Sequence, residues 1–195
     1  AKTNKSYGLT TLHHKHVDVS GHTIRFRFTG KSGKEWNLKL TDRRIAHVVR
    51  ACADIDGQEL FKYLDDSGNV RDVTSGDVNA YLQSITGEAF TAKDFRTWTG
   101  TVRAAMALQD YAVYDTAGQA KKNVVAAIET VSKKLGNTPT VCRKSYIHPQ
   151  IIDAYMDGSL IAQITGEIDK TFQAQYEQLT PEEILVLAFL KQRLV

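Results

Sequence analysis

The sequence predicts an α+β fold: a mainly helical domain with a small three-stranded antiparallel sheet near its amino end. Two observations carry this. Residues 16–40 alternate apolar and polar at period two, and from Thr41 onward the apolar residues fall at a helical period. The scale follows from composition, because 195 residues that are 42% hydrophobic and 24% charged, with only 3 prolines, suit a folded chain with a sizeable core. One domain covering residues 1–195 is expected.

In the stretch HVDVSGHTIRFRFTGKSGKEWNLKL, Ile24, Phe26 and Phe28 share one face and Arg25 and Arg27 the other; Trp36, Leu38 and Leu40 resume the pattern after a break. Three short strands follow, joined by turns around Ser20–Thr23 and Gly30–Lys34, each holding the glycine that a tight reversal favours. Thr41-Asp42 caps a helix over DRRIAHVVRACAD, and Ser75-Gly76-Asp77 opens another that closes on Gly87. Thr91 and Asp94 have capping-box spacing and start a long helix toward Leu108, and an amphipathic helix ends at Gly136. A short helix begins at Pro139. Thr180-Pro181-Glu182-Glu183 starts an apolar last helix, ILVLAFLKQRLV, read as docked core.

Several classes are set aside at this stage. No apolar run reaches the length of a membrane span, and AKTNKSYGL lacks the apolar core of a signal peptide, so a cytoplasmic location without membrane contact is expected. Cys52 and Cys142 stand 90 positions apart, with no second cysteine near either, and suggest neither a zinc framework nor a disulfide. His14 and His16 of the HHKH run would share a face in an extended chain. No third ligand accompanies them, so no metal is assigned and the run is read as a basic edge facing nucleic acid.

Charge is unevenly spread. Residues 1–50 hold 11 basic and 3 acidic side chains, residues 51–150 hold 11 and 12, and residues 151–195 hold 3 and 7. A basic first quarter suits a polyanionic partner bound through salt-sensitive contacts.

Three motifs point at phosphate. In TAKDFRTW, Lys93 and Arg96 are three apart near a helix start, where the dipole favours an anion and an arginine fork can bind two oxygens. In TGKSGK, Lys31 and Lys34 sit at a hairpin tip that can reach into a groove; the glycines do not make a P-loop. In GNTPTVCRKSYIHP, Tyr146 follows Arg143 and Lys144, and Asn137 supplies an amide donor. A phenol with a pKa of about 10 is a poor nucleophile until cations and donors stabilise the charge that develops as it attacks. Each motif taken alone also fits a bland role, respectively a helix-surface arginine, a solvated turn lysine and a packed tyrosine.

Taken in order, SYGLTTL, GKSGK after a strand, KDFRTW on a helix and GNTPTVCRKSY resemble the catalytic sequence of type IB DNA topoisomerases of the poxvirus and bacterial kind, over about residues 6–160. The resemblance implies a tyrosine nucleophile, Tyr146, that joins a DNA 3′ phosphate and expels a 5′ hydroxyl. It implies Arg96 as the clamp on the non-bridging oxygens, Lys93 as an accessory cation and Lys31 as the general acid. Asn137 stands where poxvirus enzymes have histidine and bacterial relatives have asparagine. Lys34, Arg143 and Lys144 are expected to serve DNA binding. Duplex DNA is the implied partner of a monomer in the bacterial nucleoid, with no metal, ATP or other cofactor.

The family's remaining catalytic arginine lies upstream of SYGLTTL, and no arginine of this chain matches it. The chain is therefore expected to be a catalytic-domain fragment, without the amino-terminal DNA-clamping domain and impaired in cleavage. A tyrosine recombinase is the nearest alternative, but recombinases carry His-x-x-Arg where this chain has Lys93-x-x-Arg96. A DNA-binding module without catalysis is the other, although binding alone has no need of Tyr146, Lys31 and Asn137 together.

Overall fold

A computed structural model describes residues 6–166 and 168–194, Ser32 by its backbone alone. They fall into two compact units divided between Thr91 and Ala92. The expected class holds: a mainly helical chain with a three-stranded antiparallel sheet near the amino end.

In the first unit, strands β1 (Val17–Ser20), β2 (Thr23–Thr29) and β3 (Glu35–Thr41) run in that order. The register sets Ile24 opposite Val19 and Leu40, Phe26 opposite Val17 and Leu38, and Phe28 opposite Trp36, so one face is apolar throughout. Helix α1 (Arg43–Ala53) covers it. Its N-cap is Asp42, whose carboxylate accepts the Ile45 amide at 2.8 Å, and its Ala46 and Val49 are buried with Leu12, Ile24 and Leu60. Burying one such aliphatic side chain stabilises by roughly 1.5–3 kcal/mol. Leu38 and Leu40 share that face yet stay 44% and 40% exposed, because α1 packs chiefly on β1 and β2.

Two expectations need correction here. The chain does not turn wholly helical after Thr41: β4 (Lys62–Leu64) and β5 (Val70–Asp72) form an antiparallel hairpin. Its strands are too short to show a period of two. Its signal is the turn, where the Asp65 carboxylate accepts the Ser67 and Asn69 amides at 3.0 and 2.9 Å and the Arg71 side chain at 2.9 Å. Nor does the histidine run form a free basic edge. His16 is buried, its Nδ1 accepts the His13 amide at 2.9 Å, and the rings of His13 and His16 pack against Tyr7. His14 Nε2 lies 2.7 Å from the Nζ of buried Lys62, which leaves only Lys15 of the run exposed. The unit ends in α2 (Ser75–Thr86), capped one residue earlier than expected by a reciprocal Thr74–Asp77 pair and closed by Gly87.

The second unit is helical: α3 (Ala92–Gln109), α4 (Ala117–Leu135), α5 (Pro139–Ser145), α6 (Pro149–Met156), α7 (Leu160–Thr165), α8 (Lys170–Gln175) and α9 (Pro181–Arg193). Pro139, Pro149 and Pro181 each stand at a helix start, where the missing N–H costs nothing and the fixed φ suits the first turn. Leu108, Val131, Ile151, Leu160 and Phe189 centre the core, and α9 contributes Val186 and Leu190 as well, so the last helix is docked as expected. Tyr155 is buried with its hydroxyl satisfied: it accepts from Asn123 at 2.8 Å and donates to the Tyr111 carbonyl at 2.7 Å. Among the described residues no helix is long and apolar enough to cross a membrane.

Candidate active site

Helix α4 stops at Gly136, which takes the left-handed conformation (φ 68°) that closes a helix cheaply only for glycine. The Asn137 amide donates back to the Ser132 carbonyl at 3.0 Å, and the chain turns into α5 through the N-cap Thr138. This turn fixes Asn137 beside the end of α4. Its side-chain amide donates to the Leu135 carbonyl at 3.2 Å.

Arg96, one turn into α3, donates from Nη2 to the same Leu135 carbonyl at 2.8 Å. Two donors from separate elements thus converge on one oxygen. The Arg96 guanidinium carbon also lies 5.1 Å from the centre of the Tyr146 ring, within cation–π range. Arg96, Asn137 and Tyr146, assigned from two of the three motifs, are therefore neighbours, with Lys93 exposed one turn before Arg96.

Tyr146 is the half-buried C-cap of α5, its amide bonded to the Cys142 carbonyl at 3.0 Å. Helix α3 holds the backbone on either side of it. The Thr97 hydroxyl, whose nearer acceptor is the Lys93 carbonyl at 3.1 Å, also reaches the Ser145 carbonyl at 3.4 Å, and the Thr101 hydroxyl accepts the His148 amide at 3.0 Å. Between them, a Cβ on Gly100 would stand 2.2 Å from the Tyr146 carbonyl oxygen, a contact no side chain could make without displacing the Tyr146 backbone. Thr97, Gly100 and Thr101 were missed from sequence. Their spacing of three and four, all small residues, was the available sign of a helix face meeting backbone.

Cys142 is fully buried beneath this cluster; burial pushes its thiol up, partly opposed by Arg96, as befits a core residue. Arg143 and Lys144 are exposed on α5, beside a groove of about 460 Å³ that Val125, Ile128, Pro139 and Thr140 also line. The cation over the Tyr146 ring is Arg96, not one of these sequence neighbours. Lys31 and Lys34 belong to the first unit. Lys31 is exposed in a single 3-10 turn at the hairpin tip, and the Lys34 Nζ lies 4.4 Å from the centre of the Trp36 ring.

A tyrosine, an arginine and an amide donor in this arrangement can hold an anionic tetrahedral centre, because the donors already point at one oxygen acceptor. Residues 1–175 match the family described as eukaryotic DNA topoisomerase I, catalytic core. The chain belongs to that family. It is also similar to DNA topoisomerase 1B of Acanthamoeba polyphaga mimivirus, 32% identical over 164 residues, which is 80% of this chain and 49% of that protein. The chain thus spans about half the length of the curated relative. The topoisomerase match contains Lys31, Lys93, Arg96, Asn137 and Tyr146, does not favour the recombinase alternative, and ends before α9.

Proposed function

We propose that this chain carries the transesterification site of a type IB DNA topoisomerase, which relaxes supercoiled duplex DNA by cutting and resealing one strand. The observation that carries the reading is the convergence of Arg96 and Asn137 on one oxygen, with the Arg96 guanidinium over the Tyr146 ring.

The chemistry follows from these groups. Tyr146 Oη attacks a phosphodiester phosphorus, the phenolic proton leaves to solvent, and the bond from phosphorus to the 5′ oxygen breaks. Arg96 and Asn137 move their donors from the Leu135 carbonyl to the non-bridging oxygens, where negative charge grows. Lys93 adds positive charge beside them. Lys31 gives a proton to the departing 5′ oxygen, which is far more basic as an alkoxide than the incoming phenolate. The 3′-phosphotyrosyl bond keeps the bond energy, and after the strand swivels the 5′ hydroxyl attacks and releases Tyr146. Nothing in this sequence of steps calls for a metal or ATP.

Lys34, Arg143 and Lys144 serve phosphate contacts that fix register without reading sequence. The protein acts as a monomer on DNA, in a cytoplasmic nucleoid setting. A non-catalytic DNA-binding module is the competing reading, and covalent trapping separates the two. The chain is incubated in EDTA, for hours, with a pool of 5′-labelled suicide duplexes randomised around the break, then run on a denaturing gel. A covalent band that disappears in Tyr146→Phe is expected. Mobility shifts on native gels with no covalent band would leave the binding module as the answer.

A further inference from the structure

Trp98 follows Arg96 by two positions on α3, about 200° around the helix, so the two side chains leave opposite sides of it. The indole Nε1–H of Trp98 donates to Oε1 of Glu183 at 2.9 Å, and both residues are half-buried. Oε2 of the same carboxylate accepts the Thr180 amide at 3.0 Å and the Thr180 hydroxyl at 3.1 Å, which closes the capping box of α9. One carboxylate therefore ties the start of α9 to the back of the helix that bears Arg96. Helix α9 is itself anchored by Val186, Phe189 and Leu190 in the core, and it lies past residue 175, beyond the stretch that matches the family.

A capping box is complete without any bond to Trp98, so the second oxygen has a separate effect. It restrains rotation of α3 about its own axis. A side-chain tip about 6 Å from a helix axis moves about 1 Å for a rotation of about 10°. Misplacement by that distance can slow a reaction about 100-fold. We infer that Glu183 is a positioning residue: through Trp98 it holds α3 in the rotation that aims Arg96 at the scissile phosphate. The inference rests on the reading of Arg96 as the phosphate clamp.

The test uses the full chain and four substitutions. Trp98→Phe removes the tie and leaves the cap; Thr180→Ala breaks the cap and leaves the indole bond; Glu183→Ala removes both; the fourth variant combines Trp98→Phe with Glu183→Ala. Adduct formation is followed at saturating protein, alongside DNA affinity and the Trp98 indole N–H signal in NMR.

Trp98→Phe and Glu183→Ala are each expected to slow adduct formation by about 10- to 100-fold with affinity unchanged, and the double variant to be no slower than either. Thr180→Ala should cleave at the parent rate. The indole proton should lose exchange protection in Glu183→Ala and keep it in Thr180→Ala. Parental rates in a folded Trp98→Phe, effects that multiply in the double variant, or a Thr180→Ala as slow as Glu183→Ala would each overturn the inference alone. A parent chain that forms no adduct would overturn the catalytic reading on which it rests.

Discussion

The Leu135 carbonyl accepts from both Arg96 and Asn137, so a phosphate oxygen arriving there meets two donors already aimed rather than two side chains to be ordered. The proposed function gives Lys31 a different task, protonating the leaving oxygen, and this can be isolated chemically. Lys31→Ala should slow cleavage of an ordinary phosphodiester by about 100- to 10,000-fold, the usual range for a general acid. It should have little effect when the 5′ oxygen is replaced by sulfur, since a thiolate leaves without a proton. Cleavage rates on the paired substrates check this; equal losses on both would remove Lys31 from the acid role. Tyr146, Arg96 and Asn137 were legible because each stands in a motif of charged or hydrogen-bonding residues. Thr97, Gly100 and Thr101 were not, because they meet the backbone of residues 145–148, and a contact with backbone leaves no pattern of side-chain chemistry to read.

Caps and breakers decide where the elements fall, and these were largely legible. Asp42, Gly87, Gly136 and Thr180 close or open the helices that their positions announced. The β4–β5 hairpin was not, since three-residue strands cannot show alternation, and the histidine run misled because its burial depends on packing against Tyr7 and on Lys62, the latter distant in sequence. Gly136 links element to site. Gly136→Ala forces a left-handed φ on a residue with a Cβ and should cost about 1 kcal/mol. That lowers the melting temperature by about 2–4 °C in a chain of this size. It should also slow adduct formation, because Asn137 follows directly. A thermal melt paired with a cleavage rate checks both, and a shift in one alone would uncouple the α4 terminus from the site.

For the molecule as a whole, pH acts on its two units through different groups. His16 in the first unit is held below its ordinary value of 6.5, first by burial and then by the nearby His13 and Lys15 charges, and its Nδ1 must stay unprotonated to accept the His13 amide. The unfolded chain takes up that proton near the ordinary value and the folded chain resists, so stability falls as pH drops below 6.5. Glu183 in the second unit is held below the usual carboxylate range, chiefly by the Thr180 amide. Its contribution is present at neutral pH and lost only in stronger acid. Melting curves between pH 7 and about pH 3 should therefore show an earlier loss that is absent from His16→Gln and a later one that Glu183→Gln makes smaller, the rest of it belonging to Asp65, Asp77, Asp157 and Asp169, which hydrogen bonds also hold low. The basic first quarter and the acidic carboxyl-terminal segment, legible from charge alone, agree with a chain whose first unit meets a polyanion.

The central claim is that Tyr146, one of 8 tyrosines, becomes joined to the 3′ end of a cut DNA strand. The direct measurement is peptide mapping of the trapped complex by mass spectrometry after nuclease trimming. The account predicts a single modified peptide with a 3′-phosphonucleotide on Tyr146. A nucleotide on any other residue, or one linked through its 5′ phosphate, would contradict it.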